Sequence, residues 1–434
     1  MLEIRGFRGF RFDIESVGSL DSVITPPYDV ISPEQRDTLA GRSPFSMVHL
    51  ILPQDEPEST SGGDRYQAAG RRLAAWIAGG ILRQDAQESL YLLRQTFRDE
   101  GGAEHVRRGF LGVARIPEPG EGVILGHERT FERTVDDRLR LTQATRANLG
   151  PVFALYADPE GRMRRVVDQA DQRAPDMTAR TIDGVNQELW RVDADPFVTD
   201  FFRDKRLYVA DGHHRYRTAC VYRDQMRANR RGEGPHPRGE APHPRGEAPR
   251  YDYVMMGFVS LNDPGLIICP THRLLAMPEG FDPAKFFNTL GRWFDVEPVD
   301  RALDERVQQA AGTVIGVAFY GGGQFVLRLR KDARQDLLGG VRSPAWRALD
   351  VAVLHGGVVE QTIGPGDELT FTYERDGQEA LRQVREGKFG IAFIMKAATA
   401  DQIQACAEAG ENMPHKSTYF FPKLPSGAAI HRLI

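Results

Sequence analysis

The residues with the densest chemical potential in this 434-residue chain lie at 206–219, RLYVADGHHRYRTA. An apolar run, a turn with one glycine and a polar helix start follow in direct succession. That order aims backbone N–H groups and the positive end of a helix at an anion, and phosphate is the natural guest. His213, His214 and Arg215 stand in the first helical turn, where arginine can bridge phosphate oxygens and histidine can donate to them, and Gly212 lets the backbone approach closely. The competing reading is an ordinary strand–turn–helix whose histidines are polar caps. A second group is ITPPYDVIS at 24–32. Its two prolines hold an extended backbone ahead of Asp29, a candidate base or metal ligand; an Asx-type turn before Ser32 competes. A third is GHERT at 126–130, where Glu128 could serve as base or hold Mg²⁺, against the alternative of a solvated loop.

Two further groups are weaker. The pair His272–Arg273 in PTHR, 270–273, interrupts an apolar strand region and needs a partner, a phosphate or a carboxylate, with a buried salt bridge as the competing account. In MPHKSTYFFPK, 413–423, Lys416 could reach an anionic ligand, although a docking strand explains the segment as well. Neither GxGxxG after a strand nor GxxxxGK[ST] occurs, and GxSxG is absent, so Rossmann dehydrogenase, P-loop and serine-hydrolase readings are disfavoured.

The elements that must position these groups mix helix and strand. Ser32-Pro33-Glu34-Gln35 is a helix start with a Ser cap, Pro at the first helical position and Gln three residues on. Helical spacing runs over 64–81, 133–148, 196–203, 213–227, 283–294, 303–311, 345–359 and 400–409. Strand-like runs at 90–97 and 106–116 flank an Asp-Glu-Gly-Gly turn, and others fall at 151–156, 206–210, 251–261, 266–275 and 389–396. The triple glycine at 321–323 closes a hairpin. Strict strand–helix alternation is absent, which predicts an α+β fold rather than one doubly wound sheet. A tandem repeat, GEGPHPR–GEAPHPR–GEAPR at 232–250, is too rich in Pro, Gly and charge to bury a core and reads as a mobile surface excursion; His236 and His243 within it are read as solvated.

Composition bounds the partners. Fifty-six Lys and Arg balance 60 Asp and Glu, a formal charge of −4. A protein that coats nucleic acid or anionic membrane would show a basic surface, so stable nucleic-acid and membrane partners are not expected. Residues 313–327 are uncharged but glycine-interrupted and too short to span a bilayer, and the charged N-terminal stretch lacks the apolar core of a secretory signal, so a cytoplasmic location is expected. Cys220, Cys269 and Cys406 have no zinc spacing and read as reduced thiols.

The strings PPYDVIS, HERT…DRL…AT.AN, LYVADGHHRYRTA, PTHRLL and MPHKSTYFFPKL, in this order, resemble a bacterial and archaeal family known as the domain of unknown function numbered one thousand and fifteen, across essentially the whole chain. The segment DGHHRYRTA alone resembles the phosphate-contacting motif of the ParB/sulfiredoxin superfamily, which includes free serine kinases. That second resemblance implies a ParB/sulfiredoxin-like phosphate-binding core with a C-terminal α/β portion. It implies that Asp211, Gly212, His213, His214 and Arg215 bind ATP or ADP, joined by His272 and Arg273, and that Mg²⁺ sits on Asp211 and Glu128. Asp29 or Glu128 would then accept the proton of a small-molecule hydroxyl, free serine by the same resemblance, with His214 also in the catalytic group. The chain departs from those kinases in being much longer. Because the candidate residues run from 29 to 273, the expected domains are 1–276, nucleotide-binding and catalytic with an insertion near 229–250, and 277–434, C-terminal α/β. Two rivals remain: a metal-dependent hydrolase with His127, Glu128, His213, His214 and His272 as ligands, and a nucleotide-binding regulatory protein. Sequence does not fix the oligomeric state.

Overall fold

Ser32 caps its helix as its spacing predicts. In the computed structural model, which describes residues 1–55, 64–230, 248–340 and 342–434, the Ser32 hydroxyl accepts from the Gln35 N–H at 3.2 Å, and the Gln35 side chain accepts from the Ser32 N–H at 3.0 Å. The helix Pro33–Arg42 follows. Asp64 caps Arg65–Ala78 in the same way, accepting from Tyr66 N–H and Gln67 N–H. Most of the tandem repeat, with His236 and His243, lies outside the described residues.

The fold is mixed α+β, and the chain divides into two compact units: Met1–Leu125, Thr130–Leu266 and Pro422–Ile434 form the first, Gly126–Arg129 and Ile267–Phe421 the second. The sequence expectation drew a single boundary at 276. Instead, the chain makes two excursions into the second unit, the longer one beginning where it does because the strand runs at 251–261 and 266–275 join different sheets. Tyr253–Ser260 pairs with Glu104–Arg115 and Val152–Tyr156, whereas His272–Leu275 pairs with Ile391–Ile394 and Thr372–Glu374.

The first unit is built on a nine-stranded sheet in the order Ile124–Leu125, Leu207–Asp211, Val152–Tyr156, Tyr253–Ser260, Glu104–Arg115, Ser89–Arg98, Asn186–Asp193, Met177–Arg180, with Ile4–Arg5 also on Glu104–Arg115. Its pairing is mixed: Leu207–Asp211 runs parallel to Ile124–Leu125 and antiparallel to Val152–Tyr156. The hairpin around residues 99–102 forms as its turn residues predict. One core of this unit buries Trp190, Phe110, Phe202, Phe258 and Tyr156 to 2 % exposure or less; burial of each large side chain contributes on the order of 2 kcal/mol or more. The helix His213–Arg230 turns Thr218, Ala219, Tyr222 and Met226 inward at helical spacing and packs against Glu132–Thr145.

The second unit carries a six-stranded antiparallel sheet, ordered Phe294–Val299, Gln324–Leu329, Val314–Phe319, Ile391–Ile394, His272–Leu275, Thr372–Glu374. The glycines 321–323 close its central hairpin. The single helix expected at 345–359 is broken into Pro344–Arg347, Asp350–Ala352 and a π-helical turn, Val353–Val359. Gly356 and Gly357 make the widened turn possible: a Cβ at 357 would lie 2.6 Å from a methyl of Leu337.

Candidate functional site

The strand Leu207–Asp211 ends in Gly212, whose φ of +85° is open to glycine and strained for other residues, and the helix His213–Arg230 begins at once. Arg215 folds back over the turn. A Cβ at 212 would fall 2.8 Å from its Nε, so the glycine is required by space as well as by torsion. The Asp211 carboxylate is held on both oxygens, by the Arg215 guanidinium at 2.5 Å and the Lys423 ammonium at 2.6 Å. Arg215 also donates to the Pro151 carbonyl, and its Nε is buried without a hydrogen-bond partner. A third cation, Arg107, is buried near the same carboxylate. It donates to Gln95 Oε1 at 3.0 Å and to the Pro422 carbonyl; burial pulls its pKa down to about 9, while Asp263 and Asp211 oppose that shift. One carboxylate thus orders more positive charge than it neutralises.

Beside this turn the first unit has a cavity of about 600 Å³, counting its open mouth, walled by Pro27, Tyr28, Arg138, Gly150, Arg215 and Ser426 among others. The Arg138 guanidinium lies 4.2 Å over the Tyr28 ring and donates to Asp137 at 2.7 Å and to the Ile51 carbonyl at 2.6 Å. Burial opposes the charge on Asp137, but hydrogen bonds from Tyr66 and Arg138 and the charge of Arg65 outweigh it and hold its pKa below the ordinary value. Burial raises the Tyr28 phenol far above its ordinary range; Asp29 and Asp211 add to this, and Arg138 and Arg215 oppose it. The phenol therefore marks a point faced by two carboxylates and two guanidinium groups.

Asp29 itself is exposed, in the short turn Tyr28–Val30 ahead of the Ser32 cap. His213 is buried. His214 accepts from the Phe131 N–H through Nε2 at 3.1 Å and stacks on the Phe131 ring, so it braces the start of the helix Glu132–Thr145. Glu128, His272 and Arg273 belong to the second unit. There Glu128 acts electrostatically on His415 and Tyr373. His272 is buried, its Nδ1 accepts from the Met395 N–H at 3.1 Å, and burial lowers its pKa, with Asp304 opposing and Arg273 adding to the fall. The five ligands of the hydrolase reading are divided, His213 and His214 in one unit and His127, Glu128 and His272 in the other. Among the described residues no group of three His, Cys, Asp or Glu side chains could hold a metal ion. Of the pair expected to hold Mg²⁺, Asp211 has both oxygens facing cations, and Glu128 belongs to the second unit.

Lys423 is the contribution that local reading missed. It ends the string MPHKSTYFFPK, where attention fell on Lys416, and its partner is 212 positions away. Arg138, Tyr28 and Ser426 were equally unmarked as cavity walls.

Residues 4–352 match the family described as a protein of unknown function, DUF1015. The chain belongs to that family. No curated protein matches this DUF1015 member. Among solved structures it is similar to a conserved hypothetical protein from Pyrococcus furiosus, at 13% identity over 70% of this chain and 90% of that one, with a TM-score of 0.33. A free serine kinase in complex with AMP matches at 12% identity, 69% and 83% coverage and a TM-score of 0.31, and SbnI with C-terminal truncation from Staphylococcus aureus at 12%, 73% and 88%, with a TM-score of 0.35. Among the described residues no helix is long and apolar enough to cross a membrane.

Proposed function

We propose that the first unit binds ATP or ADP with its phosphates at the Asp211–Gly212 turn and passes a phosphoryl group to the hydroxyl of a small molecule. The observation that carries this reading is the excess of positive charge ordered around Asp211, at a glycine turn opening a helix beside a cavity. Phosphoryl transfer asks a protein chiefly for alignment and charge neutralisation, and Arg215, Lys423 and Arg138 supply the latter. Of the two candidate bases, Asp29 is the choice on this reading because it adjoins Tyr28, which lines the cavity, and belongs to the same unit, whereas Glu128 belongs to the other. It takes the acceptor's hydroxyl proton as the oxygen bonds to the terminal phosphorus; the bond to the bridging oxygen breaks, and that oxygen leaves on ADP, or on AMP when ADP is the donor. Mg²⁺ on this reading arrives on the nucleotide's phosphates rather than on a protein cage. Free L-serine is the acceptor that the DGHHR resemblance implies.

The test is calorimetric titration with ATP and with ADP, followed by phosphorus NMR of reactions containing a panel of hydroxyl amino acids. Turnover is expected with at least one acceptor. Asp29→Asn should cut kcat by about a hundredfold or more while leaving nucleotide affinity in place, and Arg215→Gln should weaken nucleotide binding. Binding without turnover would leave a nucleotide-regulated protein; absence of binding, or binding indifferent to Arg215→Gln, overturns the reading.

A further inference from the structure

Arg273 presents an unsolved charge problem. It is 1 % exposed, its guanidinium donates to the carbonyls of Thr271, His415 and Lys416, and among the described residues no carboxylate pairs with it. Its Nε is buried with no hydrogen-bond partner. Burial lowers its pKa to about 10, which leaves it charged at neutral pH. A buried cation without a counter-ion is destabilising unless something supplies the missing negative charge. Its titratable neighbours are Tyr373, whose ring centre lies 5.7 Å from the guanidinium, and His272, His355 and His415, each held below its ordinary pKa by burial with the Arg273 charge adding to the fall; Asp304 and Glu128 act on His272 and His415 without pairing with Arg273.

Arg273 lines a cleft that lies wholly within the second unit and encloses about 810 Å³ including its open side. Two more cations line it, Arg334 and Lys396, and so does one carboxylate, Asp350. Asp350 is shared among them: it stands 3.7 Å from Arg334 and 3.8 Å from Lys396, and it accepts from the Thr313 hydroxyl at 2.7 Å. Three positive charges against one negative leave a surplus of two. Ser417 adds a hydroxyl, and residues 397–399 bring the start of the nine-residue helix Ala400–Glu408 to the wall, its positive end adding to the field.

We infer that this cleft is a second anion site, built for a phosphate dianion, free or carried as a phosphomonoester. A dianion matches the surplus charge, and Arg273 is the group that orients it, through donors its own fold leaves unused. Lys396 and Arg334, each less than a third exposed, close over the same ligand from the rim. The site does not depend on the nucleotide reading of the first unit.

The experiment titrates the full-length protein with inorganic phosphate and, separately, with O-phospho-L-serine and glycerol phosphate, without nucleotide, by calorimetry. Because Arg273→Gln could fail to fold, the primary variants are Lys396→Gln and Arg334→Gln, with Arg215→Gln as the control for phosphate held by the first unit. Phosphate binding that weakens about tenfold in each rim variant and persists in Arg215→Gln supports the inference. Tighter binding of one phosphomonoester than of inorganic phosphate, with the same pattern, identifies the carried form. Absence of phosphate binding up to millimolar concentration, or binding lost in Arg215→Gln and kept in the rim variants, overturns it. In both cases the nucleotide titration stands as a separate measurement.

Discussion

Asp211 shows how one carboxylate can build a cationic site: with Arg215 and Lys423 on its two oxygens it fixes two guests that would otherwise repel each other. His431 shows the opposite case, a titratable group whose burial is a liability. It is 5 % exposed, packed edge-on to Phe7, with Nε2 3.5 Å from the Arg250 carbonyl. Burial pushes its pKa down to about 4; the Arg250 carbonyl opposes this, and the charges of Arg250 and Arg5 add to it. The unfolded chain therefore binds this proton near pH 6.5 while the native state refuses it until about pH 4. Stability is full above pH 6.5 and is lost as pH falls from there toward 4, by on the order of 3 kcal/mol for this group. Urea denaturation across that window should show the decline, and His431→Gln should flatten part of it. An unchanged pH slope in the variant would refute the assignment.

At the scale of elements, the strand–turn–helix at 207–230 is positioned by local rules, and its turn is where they are most demanding. Gly212→Ala places a side chain at φ +85° and drives its Cβ into the Arg215 guanidinium. The expected cost is about 1–3 kcal/mol of stability from backbone strain, with a further loss of nucleotide affinity because Arg215 must leave Asp211. A conservative change at a cap would show only the first effect. Thermal melts and nucleotide titration on the same preparation separate the two; a variant of native affinity would mean that the turn does not shape the site. The turn, the Ser32 cap and both hairpins were legible because each depends on residues within a few positions of one another. The helix at 345–359 was misjudged because its apolar spacing says nothing of how Leu337 crowds Gly357.

Over the whole molecule, the chain leaves the first unit, builds the second, and returns for its last thirteen residues, Pro422–Ile434. That return is structural for the first unit. The Pro422 carbonyl accepts from Arg107, the Lys423 carbonyl accepts from Gln95, Ile430 bridges Phe10, and His431–Arg432 pairs with Ala147–Asn148. Truncation after Phe421 should therefore unfold or strongly destabilise the first unit, although the strands of its nine-stranded sheet all precede residue 267. Circular dichroism and limited proteolysis of the truncated chain test this; a first unit with native stability would contradict it.

The sequence by itself determined the α+β class, the caps and hairpins, and the strand–Gly212–helix geometry that presents Arg215, since these follow from side-chain period, turn chemistry and interactions between near neighbours. It marked Asp29, Glu128, His272 and Arg273 as chemically notable without saying which belong together. Tertiary structure decided that Tyr28, beside Asp29, faces the Arg138 and Arg215 charges in one unit, that Glu128, His272 and Arg273 are assigned to the other, and that the second cation on Asp211 is Lys423. Those pairings join residues tens to hundreds of positions apart. Nothing in local periodicity selects one distant lysine over another; sheet order and the path of the chain select it, and they are fixed only when the cores close.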